Sequence, residues 1–231
     1  MFISFIYLRL INITMYNLFV AVIVPLSVLI PIISAVYNYK YLTRPYKIIL
    51  SFIVFSSLLN LVNLIAIYIF RLQTTSIFHI YTVFEFVFIS AYFGEFYNRQ
   101  KKTIIYVTAG VFVLFCLINT IFLQHPGILN TYARSVGAIL IIVYSMLYFL
   151  KFGNNDEETW TDIGFNWICS ALLIYYASCL FMFIFSNYLL TASKTVVMIV
   201  WGGHDTILML EYILFAVGFY KCRSQPIIST Y

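Results

Sequence analysis

Seven continuous apolar stretches run along the chain, separated by short polar segments. They cover residues 17–37, 48–70, 77–97, 103–122, 131–151, 165–189 and 197–220. A helix rises about 1.5 Å per residue, so about 20 residues cross the ~30 Å hydrocarbon core of a bilayer. The stretches are continuous, whereas the strands of an outer-membrane barrel alternate apolar and polar residues. The sequence therefore predicts an all-α fold, a polytopic seven-transmembrane-helix bundle.

The composition supports a membrane protein. Of the 231 residues, 63% are hydrophobic and only 9% are charged, whereas about a quarter are charged in soluble domains. Lipid of the bilayer is therefore an expected partner. No composition shift divides the chain, which predicts a single domain over residues 1–231. Residues 1–16 lack the features of a secretory signal and are interpreted as an interfacial lead-in, with Met1 or Met15 as the start.

Cations are concentrated on one side of the predicted bundle. The first, third and fifth loops and the C-terminal tail carry Lys40, Arg44, Lys47, Arg99, Lys101, Lys102, Lys151, Lys221 and Arg223. The other side carries Arg9, Arg71, Arg134 and Lys194. This bias predicts an inner (plasma) membrane protein with its N-terminus outside and its C-terminus in the cytoplasm. A basic rim facing anionic headgroups also explains the net charge of +5, so no nucleic-acid partner is expected.

Known motifs give no catalytic residue, metal or cofactor. The last span has no lysine to bind retinal, and no GxSxG, HxxxH or HExxH spacing occurs. His79 and His204 are the histidines within spans, fewer than the three ligands of a usual catalytic zinc site. The four cysteines have no CxxC spacing and are predicted to be buried free thiols.

Ionisable side chains inside the spans are the strongest site candidates, because such groups are costly in a membrane and usually face a bundle interior. They are Glu85, Arg134, His204, Asp205 and Glu211. The rise per residue places Arg134 ~5 Å, His204 and Asp205 ~10 Å, and Glu85 ~12 Å below the outer edge. The shared depth predicts a polar cavity open to the outside. Glu211, at ~20 Å, is deeper and is interpreted as a proton relay.

Further polar residues extend this predicted cavity. Asn60 and Asn63 share one face of the second helix with Ser56, and Tyr81 lies one turn before Glu85. Tyr132 and Trp201 are also predicted in the outer half. A purely structural interpretation stays open, because asparagines often form hydrogen bonds between membrane helices, and an arginine near a span end can reach the headgroups.

Three segments resemble an uncharacterised family of small bacterial seven-helix membrane proteins. The segments are 78–86 (FHIYTVFEF), 165–168 (FNWI) continuing through 175–178 (YYAS), and 201–204 (WGGH). The family has no assigned activity. The resemblance implies a common polar set of Tyr81, Glu85, Tyr175, Tyr176, Trp201 and His204. This chain has Leu208 and Glu211 on the His204 helix face where the family is expected to have asparagine.

The favoured functional hypothesis is a sensory or ligand-binding module. Its cavity would bind an unknown small ligand, and its basic inner loops would contact a separate cytoplasmic effector protein. One alternative is an intramembrane lipid-modifying hydrolase with Glu85 or Asp205 as general acid or base and His204 as its partner. The other is a proton-coupled small-solute transporter that relays protons through Glu85, Asp205 and Glu211.

Overall fold

The described part of the chain consists almost entirely of helices. This computed structural model describes residues 16, 18–72, 74–152, 159–189 and 191–224. Arg9, most of the predicted lead-in and the choice between Met1 and Met15 lie outside these residues. Seven helices are long and apolar enough to cross a membrane, which confirms the predicted number. They are α1 (Phe19–Tyr37), α2 (Arg44–Tyr68), α3 (Thr75–Gly94), α4 (Arg99–Leu123), α5 (Thr131–Phe152), α6 (Gly164–Leu189) and α7 (Lys194–Lys221).

Three helices begin three or more residues before the apolar stretches that predicted them. The first residue is Arg44 rather than residue 48 in α2, Arg99 rather than 103 in α4, and Lys194 rather than 197 in α7. Side chains of the preceding residues cap two of these helices: Asn98 accepts the Lys101 N–H, and Ser193 accepts the Val196 N–H. Polar residues therefore form the first turns, where apolar periodicity gives no signal.

Helix α1 is irregular where its two prolines remove backbone donors. A π-helical turn, Phe19–Ile23, precedes Pro25, and the α-helix is interrupted at Val28 before it resumes over Leu29–Tyr37. The Ser27 hydroxyl donates to the Val24 carbonyl at 2.6 Å. Proline has no N–H and its ring crowds the preceding turn, which accounts for the interruption.

The packing places α6 and α7 at the centre of the bundle. Helix α6 packs along both α5 and α7, and α7 also packs along α1. Helix α3 contacts α2, α4 and α5. On α2, Tyr46 stacks on Phe165 of α6 with ring centroids 4.3 Å apart. The four cysteines are buried and free, as predicted.

The two ends of the bundle differ in charge. At one end, here called the basic end, Glu95 pairs with Lys102 at 2.7 Å and Arg44 at 3.5 Å, and Lys221 pairs with Asp162 at 2.8 Å. The lysines and arginines of the three predicted inner loops lie at this end. At the opposite end, hydrogen bonds join the loops to the helices. His79 Nδ1 lies 2.8 Å from the Thr120 hydroxyl, and its Nε2 donates to the Ile128 carbonyl at 3.0 Å.

Asn187 of α6 forms hydrogen bonds with the α4–α5 loop, and replacing this side chain is expected to destabilise the bundle. Its amide accepts the Leu129 N–H at 3.2 Å and donates to the Leu129 carbonyl at 2.9 Å. Asn187→Leu leaves the N–H of buried Leu129 unpaired, while the Leu129 carbonyl keeps the Thr131 N–H; the loss costs about 1–3 kcal/mol in the free energy of unfolding. Denaturant titration in detergent measures this loss. Tyr188→Leu changes an exposed neighbour and is the control; equal effects of both substitutions would contradict the assignment.

Candidate functional site

A small cavity lies between α2, α3, α6 and α7, near the middle of the bundle. Its volume is ≈ 20 Å³, which is room for about one water molecule. The polar residues that line it are Ser56, Tyr81, Glu85, Tyr175, Tyr176, Glu211 and Tyr212. The rest of its wall is apolar, and includes Phe52 and Leu208. Two carboxyl groups therefore share one small, largely apolar space.

Glu85 is the polar centre of this cavity. It is buried on α3, and its carboxyl group interacts with Arg134 of α5, Tyr176 of α6 and Tyr81 of α3. Tyr81 stands one helical turn before Glu85, on the same face of α3. The two tyrosine hydroxyls are hydrogen-bond donors to the carboxyl group. Side chains from three helices thus converge on Glu85.

Arg134 projects from the first turn of α5 into the bundle. Its guanidinium carbon lies 4.4 Å from the Phe183 ring centroid and 5.9 Å from that of Tyr81. Its Nε is buried, and no described residue accepts a hydrogen bond from it. Among the described ion pairs, none joins Arg134 directly to a carboxylate. Arg134 therefore acts on Glu85 across a gap, with aromatic rings around its charge.

Glu211 belongs to the same cavity. The sequence separated it from the outer group as a deeper relay, yet it is buried beside Glu85, close enough for the two carboxyl groups to repel each other. Tyr212 is buried next to it, and its hydroxyl is near the carboxyl groups of Glu211, Asp205 and Glu85. The structure thus places in one cavity two acids that only the transporter hypothesis had linked.

His204 lies in an aromatic setting between α6 and α7. Its Nδ1 is 3.1 Å from the Cys179 sulfur. Its ring centroid is 5.6 Å from that of Tyr175, 5.9 Å from that of Trp201 and 6.2 Å from that of Phe183. Tyr175, Cys179 and Phe183 follow one another at four-residue intervals, so they form one face of α6. The four-residue spacing from Tyr175 could have placed Cys179 at the site, although the sequence analysis did not include it.

The remaining candidates have different positions. Asp205 is fully buried and lies near Tyr16 and Tyr212. Asn60 and Asn63 are buried on α2, outside the lining of the cavity. The Asn63 amide has no hydrogen-bond partner among the described residues. Tyr132 is 56% exposed, so its side chain does not join the buried group around Glu85.

A separate polar network holds the α4–α5 loop at the opposite end. Gln124 donates to the Thr131 hydroxyl at 2.6 Å and accepts from Asn119 at 3.3 Å. Asn130 donates to the Thr82 hydroxyl at 2.8 Å and to the Phe78 carbonyl at 3.2 Å. These side chains bond to one another or to backbone, so they stabilise the loop.

Metal chemistry finds little support in the geometry. Within the described ranges, no group of three or more His, Cys, Asp or Glu side chains is arranged to hold a metal ion. The four polar side chains that converge best are Glu85, Arg134, Tyr81 and Tyr176. Their chemistry is that of ion pairing, hydrogen bonding and cation–π contact.

Comparison with known proteins gives no relative for this chain. No protein-family model, curated protein or solved structure matches it. The resemblance to small bacterial seven-helix proteins therefore stays a prediction.

Proposed function

We propose that this chain is a ligand-binding or sensory module of the inner membrane, whose central cavity binds a small cationic group. The ligand enters from the opposite end of the bundle, which the charge bias assigns to the outside. The basic end then contacts a separate cytoplasmic effector. Seven helices are long and apolar enough to cross a membrane, which supports the membrane location in this proposal.

The balance of buried charge carries the proposal. Glu85 and Glu211 share one cavity, and the guanidinium of Arg134 acts on Glu85. A carboxylate removed from water needs an opposite charge or a proton. One guanidinium neutralises one carboxylate. The second therefore requires a proton or a cation supplied from outside.

The aromatic lining suits an ammonium group. Tyr81, Tyr175, Tyr176 and Tyr212 surround the two acids. Aromatic faces attract cations through their quadrupoles, and cages of such rings recognise ammonium ligands. The cavity of ≈ 20 Å³ admits one water-sized group, which matches an ammonium head or a small inorganic cation.

Cation-dependent thermal stability tests the binding. Purified protein in detergent is heated in ethylammonium, sodium or N-methylglucamine chloride at equal ionic strength. A ligand at 100 times its Kd stabilises the folded state by about 2.7 kcal/mol. We expect ethylammonium or sodium to raise the Tm by several degrees, and the bulky N-methylglucamine to leave it unchanged.

Substitutions connect such a stabilisation to the cavity. Glu85→Gln and Glu211→Gln should each abolish the increase in Tm, because each removes one of the two negative charges that line the cavity. Asp162→Asn, which removes a carboxylate at the basic end, should retain it. An increase that persists in both glutamine variants, or its absence for every cation in the wild type, would contradict the proposal.

Proton-coupled transport is the second candidate, because Glu211 lies in the same cavity as Glu85. Adjacent buried acids are the groups that proton relays use. In liposomes with an internal pH dye, a transporter would acidify the lumen when an external acid pulse and its solute are supplied. Ethylammonium stabilisation without such proton movement favours the sensory module.

A further inference from the structure

An apolar groove opens between α4 and α5 at the basic end, remote from the central cavity. It has a volume of ≈ 450 Å³. Its lining residues are Tyr97, Lys101, Ile104, Ile105, Tyr144, Leu147, Leu150 and Lys151. Helix α4 packs mainly on α3 and makes few contacts with α5, which leaves the groove between them. Ile104 is 64% and Leu150 82% exposed, so the apolar wall faces the surroundings of the bundle.

Two lysines stand at the mouth of this groove. Lys151 donates to the Phe96 carbonyl at 3.2 Å, and its ammonium group lies 4.8 Å from the Tyr97 ring centroid and 4.4 Å from that of Phe152. Lys101 is near enough for the two ammonium groups to repel each other. These contacts hold Lys151 in place beside a like charge.

No acid among the described residues pairs with either lysine of the groove. Glu95, the acid at this end of α3, is bound to Lys102 and Arg44. No ion pair among the described residues includes Lys101 or Lys151. Tyr97 lines the groove, and its hydroxyl is buried with no hydrogen-bond partner in the described part of the chain. Two cations thus stand at the mouth of an apolar groove.

We propose that the groove binds an anionic phospholipid. The phosphate lies between Lys101 and Lys151, and an acyl chain follows the apolar wall formed by Ile104, Leu147 and Leu150. The positive charge of the two lysines complements the phosphate of the lipid. The exposed apolar wall continues from the headgroup level toward the membrane interior. Basic pockets between membrane helices are known to recognise anionic headgroups.

Native mass spectrometry of the detergent-solubilised protein tests this site. Phosphatidylglycerol and phosphatidylcholine with the same acyl chains are added in equal amounts. We expect preferential retention of phosphatidylglycerol. The variant Lys101→Gln/Lys151→Gln should weaken its binding roughly 10-fold or more, because each lysine contributes to headgroup attraction. Binding of phosphatidylcholine should stay unchanged.

Two further variants make the result specific. Lys40→Gln/Lys47→Gln removes the same charge from the basic end outside the groove, and should leave phosphatidylglycerol binding within about twofold of the wild type. Leu147→Trp narrows the groove while both lysines remain, and should reduce binding of both lipids. Equal losses in the two lysine variants would overturn the proposal, because the attraction would then come from net charge alone. So would unchanged binding of phosphatidylglycerol in Lys101→Gln/Lys151→Gln.

Discussion

Arg134→Met is expected to lower the free energy of unfolding by about 3–5 kcal/mol, the largest effect of any single substitution in the central site. Removing one partner of a buried charge pair leaves the other charge uncompensated. Here the remaining charge is that of Glu85, which shares its cavity and its apolar wall with a second acid, Glu211. Unfolding by denaturant in detergent, followed by tryptophan fluorescence, measures the change.

A double-mutant cycle identifies the source of this loss. Glu85→Gln removes the negative charge that Arg134 faces, so the combined variant should be more stable than the sum of the two single losses indicates. Lys194→Met removes an exposed cation at the same end of the bundle and should have little effect. Additive losses in the cycle would contradict an interaction between Arg134 and Glu85.

Two glycines that allow close packing of α6 and α7 give the second large effect. A Cβ on Gly164 would lie 2.5 Å from the Gly218 carbonyl oxygen, and one on Gly218 would lie 2.6 Å from Ile168 Cγ1 and 2.9 Å from the Gly164 carbonyl oxygen. Backbone oxygens cannot move without separating the helices. We expect Gly164→Ala and Gly218→Ala each to cost about 1–3 kcal/mol or more, from overpacking.

Other glycines of the same bundle provide matched controls for that measurement. A Cβ on Gly110 or Gly203 would meet nothing within 4 Å. Alanine has a better helix propensity than glycine, so Gly110→Ala and Gly203→Ala should be neutral or stabilising by up to about 1 kcal/mol. Thermal unfolding of the four variants under one condition makes the comparison. If all four behave alike, the close approach of α6 and α7 is wrong.

The helices were predictable because bilayer thickness imposes one physical length on every span. Each apolar stretch of about 20 residues therefore corresponds to one helix of the structure. The helix starts were less predictable, since Asn98 and Ser193 cap polar first turns outside the apolar stretches. Membrane insertion and the direction of the termini stay predictions from the distribution of lysine and arginine.

The convergence of several polar residues was predictable from the sequence, whereas the direction in which each side chain points was less so. Glu85, Tyr81 and Arg134 meet as the polar pattern indicated. Glu211 lines the same cavity as Glu85 although rise per residue separates them, since that calculation ignores how far neighbouring helices are shifted along their axes. Tyr132 has a suitable depth but an exposed side chain, since the rotation of a helix is set by packing.

The central claim is that Glu85 and Glu211 share one cavity, while the guanidinium of Arg134 offsets the charge of only one carboxylate. Infrared spectroscopy of the Asp205→Asn protein at neutral pH tests it most directly, because protonated and ionised carboxyl groups absorb at different frequencies. In N-methylglucamine buffer we predict one protonated carboxyl band, which disappears in either Glu85→Gln or Glu211→Gln and on addition of ethylammonium. A spectrum with no such band, or a band that survives both substitutions, would contradict the account.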